Sequence, residues 1–443
     1  MRKYQENKII LFFDRLMAVS FYVLIFFLPI SIALVEIFSV LSLISYFCKR
    51  GSIFFISLLR NYSIQHKLLS IQDMISLFKT SFKFINNPIH RPLGFWIIIS
   101  AISVLVSPYS KLSFTAFLGK NLQNAFIFFN FVEAISTKKR LKIFLCSLFI
   151  SYSIVCLSGI NQYFFHQDFI RWNVLQQGRI NSCFRAPNDF AAYIVMVLPI
   201  LLNLYLVLNK NFSIAIPSFL SKKRISGLLL KIIIFFMFLM SVYCLGLTFS
   251  RGAWLAFGFS LISLGICSRK FFGKLMVMGS IFFVFFVLKL ISEREFMDKT
   301  NLFDSFGRES YWREALTIIK DYPFFGVGLN AYSMVAKGYH FSWGGYPHNC
   351  YLQMAAEMGL FGLAIFGWMI VILFKEAYKN FLEIKDPLWK AVFFGTVIGF
   401  GSFLIHSFFD TFFYSVQLGS LMWVIMGLIV AIQNIASKEK VVK

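Results

Sequence analysis

The chain has 443 residues, of which 58% are hydrophobic and only 14% are charged. Soluble domains carry about 25% charged residues, so this composition excludes an ordinary soluble protein. The formal net charge of +23 does not indicate nucleic-acid binding, because no basic domain with interleaved aromatic residues accompanies it. In a membrane protein, Lys and Arg instead collect in cytoplasmic loops and set the orientation of the helices.

Apolar segments near the length of ~20 residues needed to cross a bilayer recur along the whole chain. They predict an all-α polytopic membrane protein with about 12 transmembrane helices, since a transmembrane barrel would alternate polar and apolar residues. Pro29 and Ser31 predict a tight turn between the first two segments, although one long tilted helix fits the same residues. The predicted segments are 16–34, 35–48, 94–108, 119–136, 141–161, 189–208, 228–248, 253–267, 271–291, 351–374, 389–409 and 413–435.

The distribution of basic residues sets the expected orientation. Placing both termini in the cytoplasm puts most of the 43 Lys and Arg residues in inner loops, as the positive-inside rule requires. Residues 1–443 then form a single integral membrane domain with an inner loop at 49–93 and an outer loop at 162–188. A large, partly helical outer loop at 292–350 separates helices 9 and 10. Within the inner loop, Ile71–Phe84 has the pattern of an amphipathic helix lying on the membrane.

Several arginines break the positive-inside rule because they lie on the outer face. Arg179 and Arg185 belong to the outer loop at 162–188, Arg251 lies at the lip of a helix, and Arg308 shares the large loop with His348. Arginine is permanently charged and can hold a phosphate through two parallel hydrogen bonds. Three distant stretches of chain thus bring arginines to the face that carries the histidine, which suits a lipid bearing a diphosphate.

Each of these residues also has a simpler interpretation. Arg251 could extend to the lipid headgroups, although Gly252 beside it indicates a close backbone approach. Arg179 and Arg185 could be solvated loop residues. His348 could cap the helix that begins near Asn349.

Several motifs that would indicate other chemistry are absent from the sequence. There is no Gly-x-x-x-x-Gly-Lys phosphate loop and no His-Glu-x-x-His zinc motif. No pair of aspartates is found on the outer face to hold a divalent metal. The sequence therefore predicts a site that needs no metal, no ATP and no other cofactor, with arginine for charge neutralisation and histidine for proton transfer.

Three blocks of sequence resemble a known family. The first is residues 178–193 (GRINSCFRAPNDFAAY), and the second is residues 250–254 (SRGAW). The third block comprises residues 307–312 (GRESYW), 321–330 (DYPFFGVGLN), 348–353 (HNCYLQ) and 357–362 (EMGLFG). Their order and spacing resemble the O-antigen ligase and polymerase superfamily of bacterial envelope glycan assembly. Ser182 departs from the family pattern, which has glycine there, and Arg179 rather than Arg185 matches the family arginine.

The resemblance implies transfer of a glycan from a polyprenyl diphosphate carrier to a hydroxyl acceptor at the periplasmic face of the bacterial inner membrane. The acceptor is the lipid A core of lipopolysaccharide in the ligases. It is another lipid-linked repeat in the polymerases, and a Ser or Thr side chain in the protein O-oligosaccharyltransferases. The short segment after the last predicted helix favours a ligase or a polymerase. A transporter or flippase is a more distant alternative, because most ionisable residues lie at helix lips and in loops and not at the bilayer midplane.

The resemblance also gives roles to individual residues. His348 is expected to act as general base, since histidine commonly transfers protons near neutral pH. Arg179 and Arg251 are expected to be catalytic, holding the donor diphosphate and stabilising its charge as it departs. The residues expected to bind substrate are Arg308, Arg185, Asn349 and Trp312. Direct attack at the anomeric carbon predicts inversion of configuration, and the expected partners are the donor, the acceptor and membrane lipids.

Overall fold

The computed structural model describes residues 7–65, 70–81, 87–208, 213–215, 224–267, 279, 305–339 and 345–441. The helices of this part of the chain are α1 (Lys8–Phe27), α2 (Ile32–Gln65), α3 (Ile71–Ser81), α4 (His90–Val106), α5 (Ser110–Ala116), α6 (Gln123–Ala134), α7 (Lys138–Phe165), α8 (Pro187–Val207), α9 (Gly227–Leu247), α10 (Arg251–Cys267), α11 (Ser305–Asp321), α12 (Tyr332–Gly338), α13 (Cys350–Phe381), α14 (Pro387–His406) and α15 (Val416–Val441). A π-helical turn, Phe117–Leu122, joins α5 to α6, and a 3-10 turn, Phe412–Tyr414, precedes α15. Two short strands, β1 (Ser213–Ala215) and β2 (Arg224–Ser226), pair antiparallel.

Eight helices of the described residues are long and apolar enough to cross a membrane. The prediction of a helical, multi-pass membrane protein is therefore confirmed. These candidate spans are Lys8–Phe27, Ile32–Asn61, Lys138–Phe165, Pro187–Val207, Gly227–Leu247, Cys350–Phe381, Pro387–His406 and Val416–Lys438. Each of the other predicted segments within the described residues also overlaps a helix, whereas the segment 271–291 lies outside those residues. A total of about 12 crossings stays a prediction.

The turn predicted near Pro29 and Ser31 separates α1 from α2, so the single long helix is excluded. The backbone amides of Ile30 and Ser31 both donate to the carbonyl of Phe27, at 2.9 and 2.8 Å. The second helix differs from the prediction, because it continues to Gln65 instead of ending at residue 48. Apolar residues persist through this extension, so the charged pair at its start does not end the helix.

That charged pair, Lys49 and Arg50, belongs to an ion-pair network between four helices. The Lys49 Nζ atom lies 2.7 Å from Asp14 Oδ1 and 2.6 Å from Glu133 Oε1. Arg50 also pairs with Glu133, and Arg140 pairs with Asp14. The Arg50 side chain is buried, and burial of a charge is tolerated only when it is paired. The network therefore ties together α1, α2, α6 and the first turn of α7.

An amphipathic helix, α3, follows α2 and begins at Ile71, as predicted, although within the described residues it ends at Ser81. It is attached to α2 by Arg50, whose Nη1 donates to the Ser81 carbonyl at 2.9 Å. Its exposed apolar side chains are Ile71, Met74, Ile75 and Phe78. An apolar face of this kind suits a position on the membrane surface, which stays a prediction.

Helices α8 and α14 pack along each other at the centre of the bundle. A Cβ atom on Gly399 would lie 2.1 Å from the Met196 carbonyl oxygen, and one on Gly395 would lie 2.6 Å from Ile200 Cα. The two glycines therefore allow direct contact of the backbones, as small residues do between membrane helices. This contact matters for function because α8 begins and α14 ends beside the candidate site.

Candidate active site

A chain of hydrogen bonds joins four polar side chains from distant parts of the sequence. His348 Nδ1 lies 3.0 Å from Asp410 Oδ1, and Asn188 Nδ2 donates to Asp410 Oδ2 at 2.8 Å. Arg179 Nη2 donates to Asn188 Oδ1 at 2.8 Å, while Arg179 Nε donates to the Thr248 carbonyl at 2.7 Å. Two predicted residues, His348 and Arg179, are therefore connected through two residues to which the sequence analysis gave no role.

Helix ends fix the position of this chain. Asn188 lies in the first turn of α8, and Asp410 lies in the turn that follows α14. That turn is fastened to the start of α13, because the Cys350 amide donates to the Ser407 carbonyl at 2.9 Å and Cys350 Sγ donates to the Asp410 carbonyl at 3.1 Å. His348 directly precedes α13, so the same contacts hold the histidine opposite the carboxylate.

Asn349 begins α13 as its N-cap. Its Oδ1 atom accepts from the amides of Tyr351 and Leu352, at 2.9 and 3.1 Å, and the residue is buried. The residue that caps α13 is therefore Asn349, and not His348, to which the simpler interpretation assigned this role. Because the Asn349 side-chain oxygen accepts these two hydrogen bonds, its side-chain amide nitrogen is the atom left to contact a substrate.

His348 adopts a left-handed backbone conformation with φ of 46°. Such strain in a residue other than glycine costs about 1–3 kcal/mol and is concentrated at functional sites. The His348 side chain is 44% exposed, whereas that of Asp410 is 15% exposed. Because Nδ1 is turned to the carboxylate, Nε2 is the nitrogen left for a substrate. The ring of Tyr311, on α11, meets the His348 ring edge-on at 5.5 Å.

Asp410 is held in its charged form. Burial alone would raise the pKa of this carboxyl, but the hydrogen bond and charge of His348, the Asn188 amide and the Thr411 backbone N–H together lower the pKa to about 2. Asp410 is therefore ionised at neutral pH. An ionised carboxylate only accepts hydrogen bonds, so Nδ1 of His348 is the donor, and in the neutral form of the ring Nε2 carries the lone pair.

Arg308 lies within electrostatic reach of both Asp410 and Arg251. Burial lowers the pKa of the Arg308 guanidinium, the nearby charge of Asp410 raises it, and that of Arg251 lowers it. Arg308 extends from α11, whereas Arg251 is exposed at the first residue of α10. Two arginines from separate elements thus approach the carboxylate-histidine pair, giving the site the charge to bind an anion.

Gly252 explains how Arg251 reaches this position. A Cβ atom on Gly252 would lie 2.9 Å from Phe409 Cβ and 3.0 Å from His406 Cδ2. The close backbone approach expected from this glycine is thus present. Ser250 Oγ lies 3.2 Å from His406 Nε2, which fastens the start of α10 to the end of α14.

Two other predicted residues lie outside the hydrogen-bonded chain. Arg185 is exposed on the loop before α8, and its backbone carbonyl accepts from Gln176 Nε2 at 2.7 Å. Trp312 lies on α11, and its indole Nε1 is buried without a hydrogen-bond partner in the described part of the chain. Their predicted contacts with substrate stay predictions.

Ser182, which stands where the family pattern has glycine, adopts a backbone conformation that glycine favours. Its φ is 48°, in the left-handed region that glycine enters without strain. The Ser182 hydroxyl donates to the Val155 carbonyl at 2.8 Å, and its amide donates to Gln162 Oε1 at 2.8 Å. The substitution therefore leaves the loop anchored to α7, and Arg179 three residues earlier keeps its place in the chain.

Asp410 and Asn188 were missed by the sequence analysis. Asp410 is the one carboxylate between the last two predicted segments, on the same predicted face as His348, and this position was the available signal. Asn188 was visible only as part of the Pro-Asn motif. Among the described residues, no group of three or more His, Cys, Asp or Glu side chains could hold a metal ion.

Comparison with known proteins gives one result. A family model described as O-antigen ligase matches residues 235–367, whereas no curated protein matches the chain. The matched stretch contains Arg251, Arg308 and His348, but it excludes the loop of Arg179 and the turn of Asp410. It supports a membrane glycosyltransferase of the ligase or polymerase type. Residues 235–367 of this chain are thus similar to the O-antigen ligase family, the family that the sequence motifs predicted.

Proposed function

We propose that this protein transfers a glycan from a polyprenyl diphosphate carrier to a hydroxyl acceptor, most suitably the lipid A core of lipopolysaccharide. The reaction takes place at the periplasmic face of the bacterial inner membrane, with both termini in the cytoplasm. The observation that carries the proposal is the hydrogen-bonded chain from Arg179 through Asn188 and Asp410 to His348. It joins the first and third sequence blocks to a carboxylate, and Gly252, which follows Arg251 in the second block, lies close to Phe409, the neighbour of Asp410.

His348 acts as the general base. Its Nε2 atom takes the proton of the acceptor hydroxyl while that oxygen attacks the anomeric carbon of the donor sugar. Asp410 accepts the hydrogen bond from Nδ1 and stabilises the imidazolium that forms, as carboxylates do in other carboxylate-histidine pairs. General base catalysis of this kind contributes typically 10²- to 10⁴-fold to the rate.

Arg251 and Arg308 neutralise the leaving diphosphate. The bond between the anomeric carbon and the diphosphate oxygen breaks as the new glycosidic bond forms, so the configuration at that carbon inverts. The negative charge grows on the departing oxygen, and arginine donors placed there stabilise the transition state more than the ground state. The energy resides in the glycosyl diphosphate bond, so the proposed reaction uses neither ATP nor a metal.

Arg179 has a positioning role in this scheme. Its Nε and Nη2 donors are committed to the Thr248 carbonyl and to Asn188 Oδ1. Through Asn188 it sets the orientation of the Asp410 carboxylate. The proposal therefore moves Arg179 from direct contact with the diphosphate, which the family resemblance implied, to support of the base.

The related activities differ in the acceptor that they glycosylate. The experiment therefore identifies which acceptor receives the glycan. The purified protein is reconstituted in vesicles with a lipid-linked glycan donor, lipid A core and a chelator, and glycosylated products are identified by mass spectrometry. Labelled lipid A core is expected. Elongated lipid-linked glycan alone would indicate a polymerase, a glycosylated Ser or Thr peptide would indicate a protein O-oligosaccharyltransferase, and inhibition by the chelator would contradict the metal-free reaction.

Two variants test the roles of the site residues in the same assay. His348→Ala is expected to lower kcat about 10²- to 10⁴-fold, whereas His166→Asn, at an exposed histidine that ends α7, is the matched control. Arg251→Lys is expected to weaken donor binding, because lysine cannot form the two parallel hydrogen bonds of a guanidinium. Arg313→Lys, on the exposed face of α11, is its control. Full activity of His348→Ala would contradict the assignment of His348 as general base. Full activity of Arg251→Lys would contradict a bidentate contact between Arg251 and the diphosphate.

A further inference from the structure

A groove of about 950 Å³ opens at the opposite end of the bundle from the candidate site. It is formed by the first turn of α7, the segment that leads into α14, and the last turns of α15. The other end of α7 lies beside the loop of Arg179, and the other end of α14 leads into Asp410. The volume is near the upper end of the range of small-molecule sites, about 300–1,000 Å³. The groove is therefore large enough to hold a ligand and is separate from the site of transfer.

The floor of the groove is apolar. It is formed by Leu141 of α7, Trp389 of α14, and Ile432 and Ile435 of α15, all of them buried. These side chains belong to the ends of helices that are apolar enough to cross a membrane. A surface of this kind at the end of membrane helices is suited to acyl chains and a glycerol backbone, since both are apolar over most of their area.

The rim of the groove is basic. Lys138, Lys385 and Lys438 line it together with the carboxylates of Glu383 and Asp386. Asp386 Oδ1 accepts from the Leu388 amide at 3.0 Å as the N-cap of α14. Its other oxygen lies 3.7 Å from Lys138 Nζ.

Two of these lysines carry positive charge that is not neutralised by an ion pair within the described residues. The side chains of Lys385 and Lys438 are exposed, and in the described part of the chain neither forms an ion pair. Their positive charge is thus available to a negatively charged group lying over the apolar floor. The positive-inside rule places this end of the bundle at the cytoplasmic leaflet.

From this juxtaposition of an apolar floor and a lysine rim we infer that the groove binds one anionic phospholipid of the cytoplasmic leaflet. The phosphate lies between Lys385 and Lys438, and an acyl chain follows Trp389 and Ile432 into the bilayer. Basic pockets between membrane helices on the cytoplasmic side bind anionic headgroups by this combination of charge and apolar contact. A zwitterionic lipid offers the same chains without the net charge, so the inference predicts a preference between the two.

The test measures lipid binding and is independent of glycan transfer. The intact protein in detergent is mixed with phosphatidylglycerol, with phosphatidylcholine or with inorganic phosphate. Retained lipid is counted by native mass spectrometry, and the melting temperature is recorded. Phosphatidylglycerol is expected to remain bound and to raise the melting temperature, phosphatidylcholine to do so weakly, and phosphate to do neither. Equal retention of the two lipids, or the same stabilisation by phosphate alone, would overturn the inference.

Variants locate the bound lipid. Lys385→Ala and Lys438→Ala are each expected to weaken retention of phosphatidylglycerol about fivefold, the factor that corresponds to ~1 kcal/mol for one lysine near an anionic surface. Lys379→Ala is the matched control, because Lys379 lies near the end of α13, pairs with Glu376 and does not line the groove. Ala436→Trp fills the groove and is expected to exclude the lipid without changing charge. Wild-type retention in these groove variants would contradict the assignment.

Discussion

Asp410 is the residue whose role depends most on its surroundings. It is a carboxylate in a site rich in arginine, and it accepts from His348 and Asn188 on its two oxygens. With both oxygens occupied, the carboxylate is unsuited to act as nucleophile or base itself. In the proposed reaction its charge instead favours the protonated form of the histidine that arises during transfer. The residue would thus act through His348.

Replacement of Asp410 by Asn tests this role. Asp410→Asn keeps the shape but removes the charge and permits the wrong histidine tautomer, so kcat is expected to fall about 10²- to 10⁴-fold with a smaller change in KM. The acid limb of the pH–rate profile is expected to move to lower pH, because the imidazolium loses its countercharge. A loss of activity with an unchanged pH profile would point to a purely structural role. Asp73→Asn, at a carboxylate on exposed α3, serves as control.

The lowered pKa of Asp410 also predicts a pH dependence of stability. Its folded-state pKa is about 2, below the ordinary value of 3.8. Such a group contributes stability above its ordinary pKa, and the contribution is lost as the pH falls through the folded-state value. The wild-type protein is therefore expected to lose its stability advantage over Asp410→Asn between about pH 4 and about pH 2. Melting temperatures of both proteins across this range measure the difference, and a constant difference would contradict the assignment.

At the scale of elements, a kink in α13 explains two of the sequence motifs. Gly359 has φ of 71° and interrupts the helix. The loop of residues 323–328 packs into this kink, where the Leu360 amide donates to the Pro323 carbonyl at 2.7 Å and the Gly328 amide donates to the Glu357 carbonyl at 3.0 Å. The loop thereby satisfies backbone groups that a straight helix would have paired internally. The motifs DYPFFGVGLN and EMGLFG are two halves of one packing arrangement that connects α11 to α13.

Gly359→Ala is expected to disrupt this arrangement. A Cβ atom at this position would lie 2.0 Å from the Phe324 carbonyl oxygen. The backbone angles, φ of 71° and ψ of 177°, also fall in a region essentially restricted to glycine, which costs another residue about 1–3 kcal/mol. We expect a destabilisation of at least ~2 kcal/mol, measured as a lower melting temperature. Gly367→Ala is the matched control in the same helix. A Cβ there meets nothing within 4 Å, so this variant is expected to be neutral or slightly stabilising.

At the scale of the whole molecule, the two ends of the bundle carry different sets of polar side chains. One end carries the hydrogen-bonded chain of the candidate site, and the other carries the ion-pair network and the lysine-rimmed groove. Helix α7 connects them, because Arg140 in its first turn joins the network, whereas Gln162 in its last turn anchors the loop of Arg179 by accepting from the Asn181 amide at 2.9 Å. One continuous helix therefore links the ion-pair network to the candidate site.

Glu133→Ala tests the contribution of the ion-pair network. Removal of this carboxylate leaves Arg50, which is buried, and Lys49 without their shared partner. Leaving a buried charge unpaired typically costs about 3–5 kcal/mol, so the melting temperature is expected to fall markedly. Glu376→Ala removes the partner of an exposed lysine and is expected to cost less than ~1 kcal/mol. Equal stabilities of the two variants would show that the network is dispensable.

The sequence by itself determined the helical membrane architecture and the neighbourhood of the site. The length of an apolar segment is a local property of the sequence. The helices of the described residues could therefore be predicted, apart from the continuation of α2 to Gln65. His348 and Arg251 were identifiable because polar residues at the ends of apolar segments are few. Only the tertiary structure decided that Asp410 and Asn188 link His348 to Arg179 by hydrogen bonds, and that Asn349 is a helix cap. These assignments depend on contacts between residues distant in sequence, which are set by the packing of α8 against α14 and of the Asp410 turn against α13.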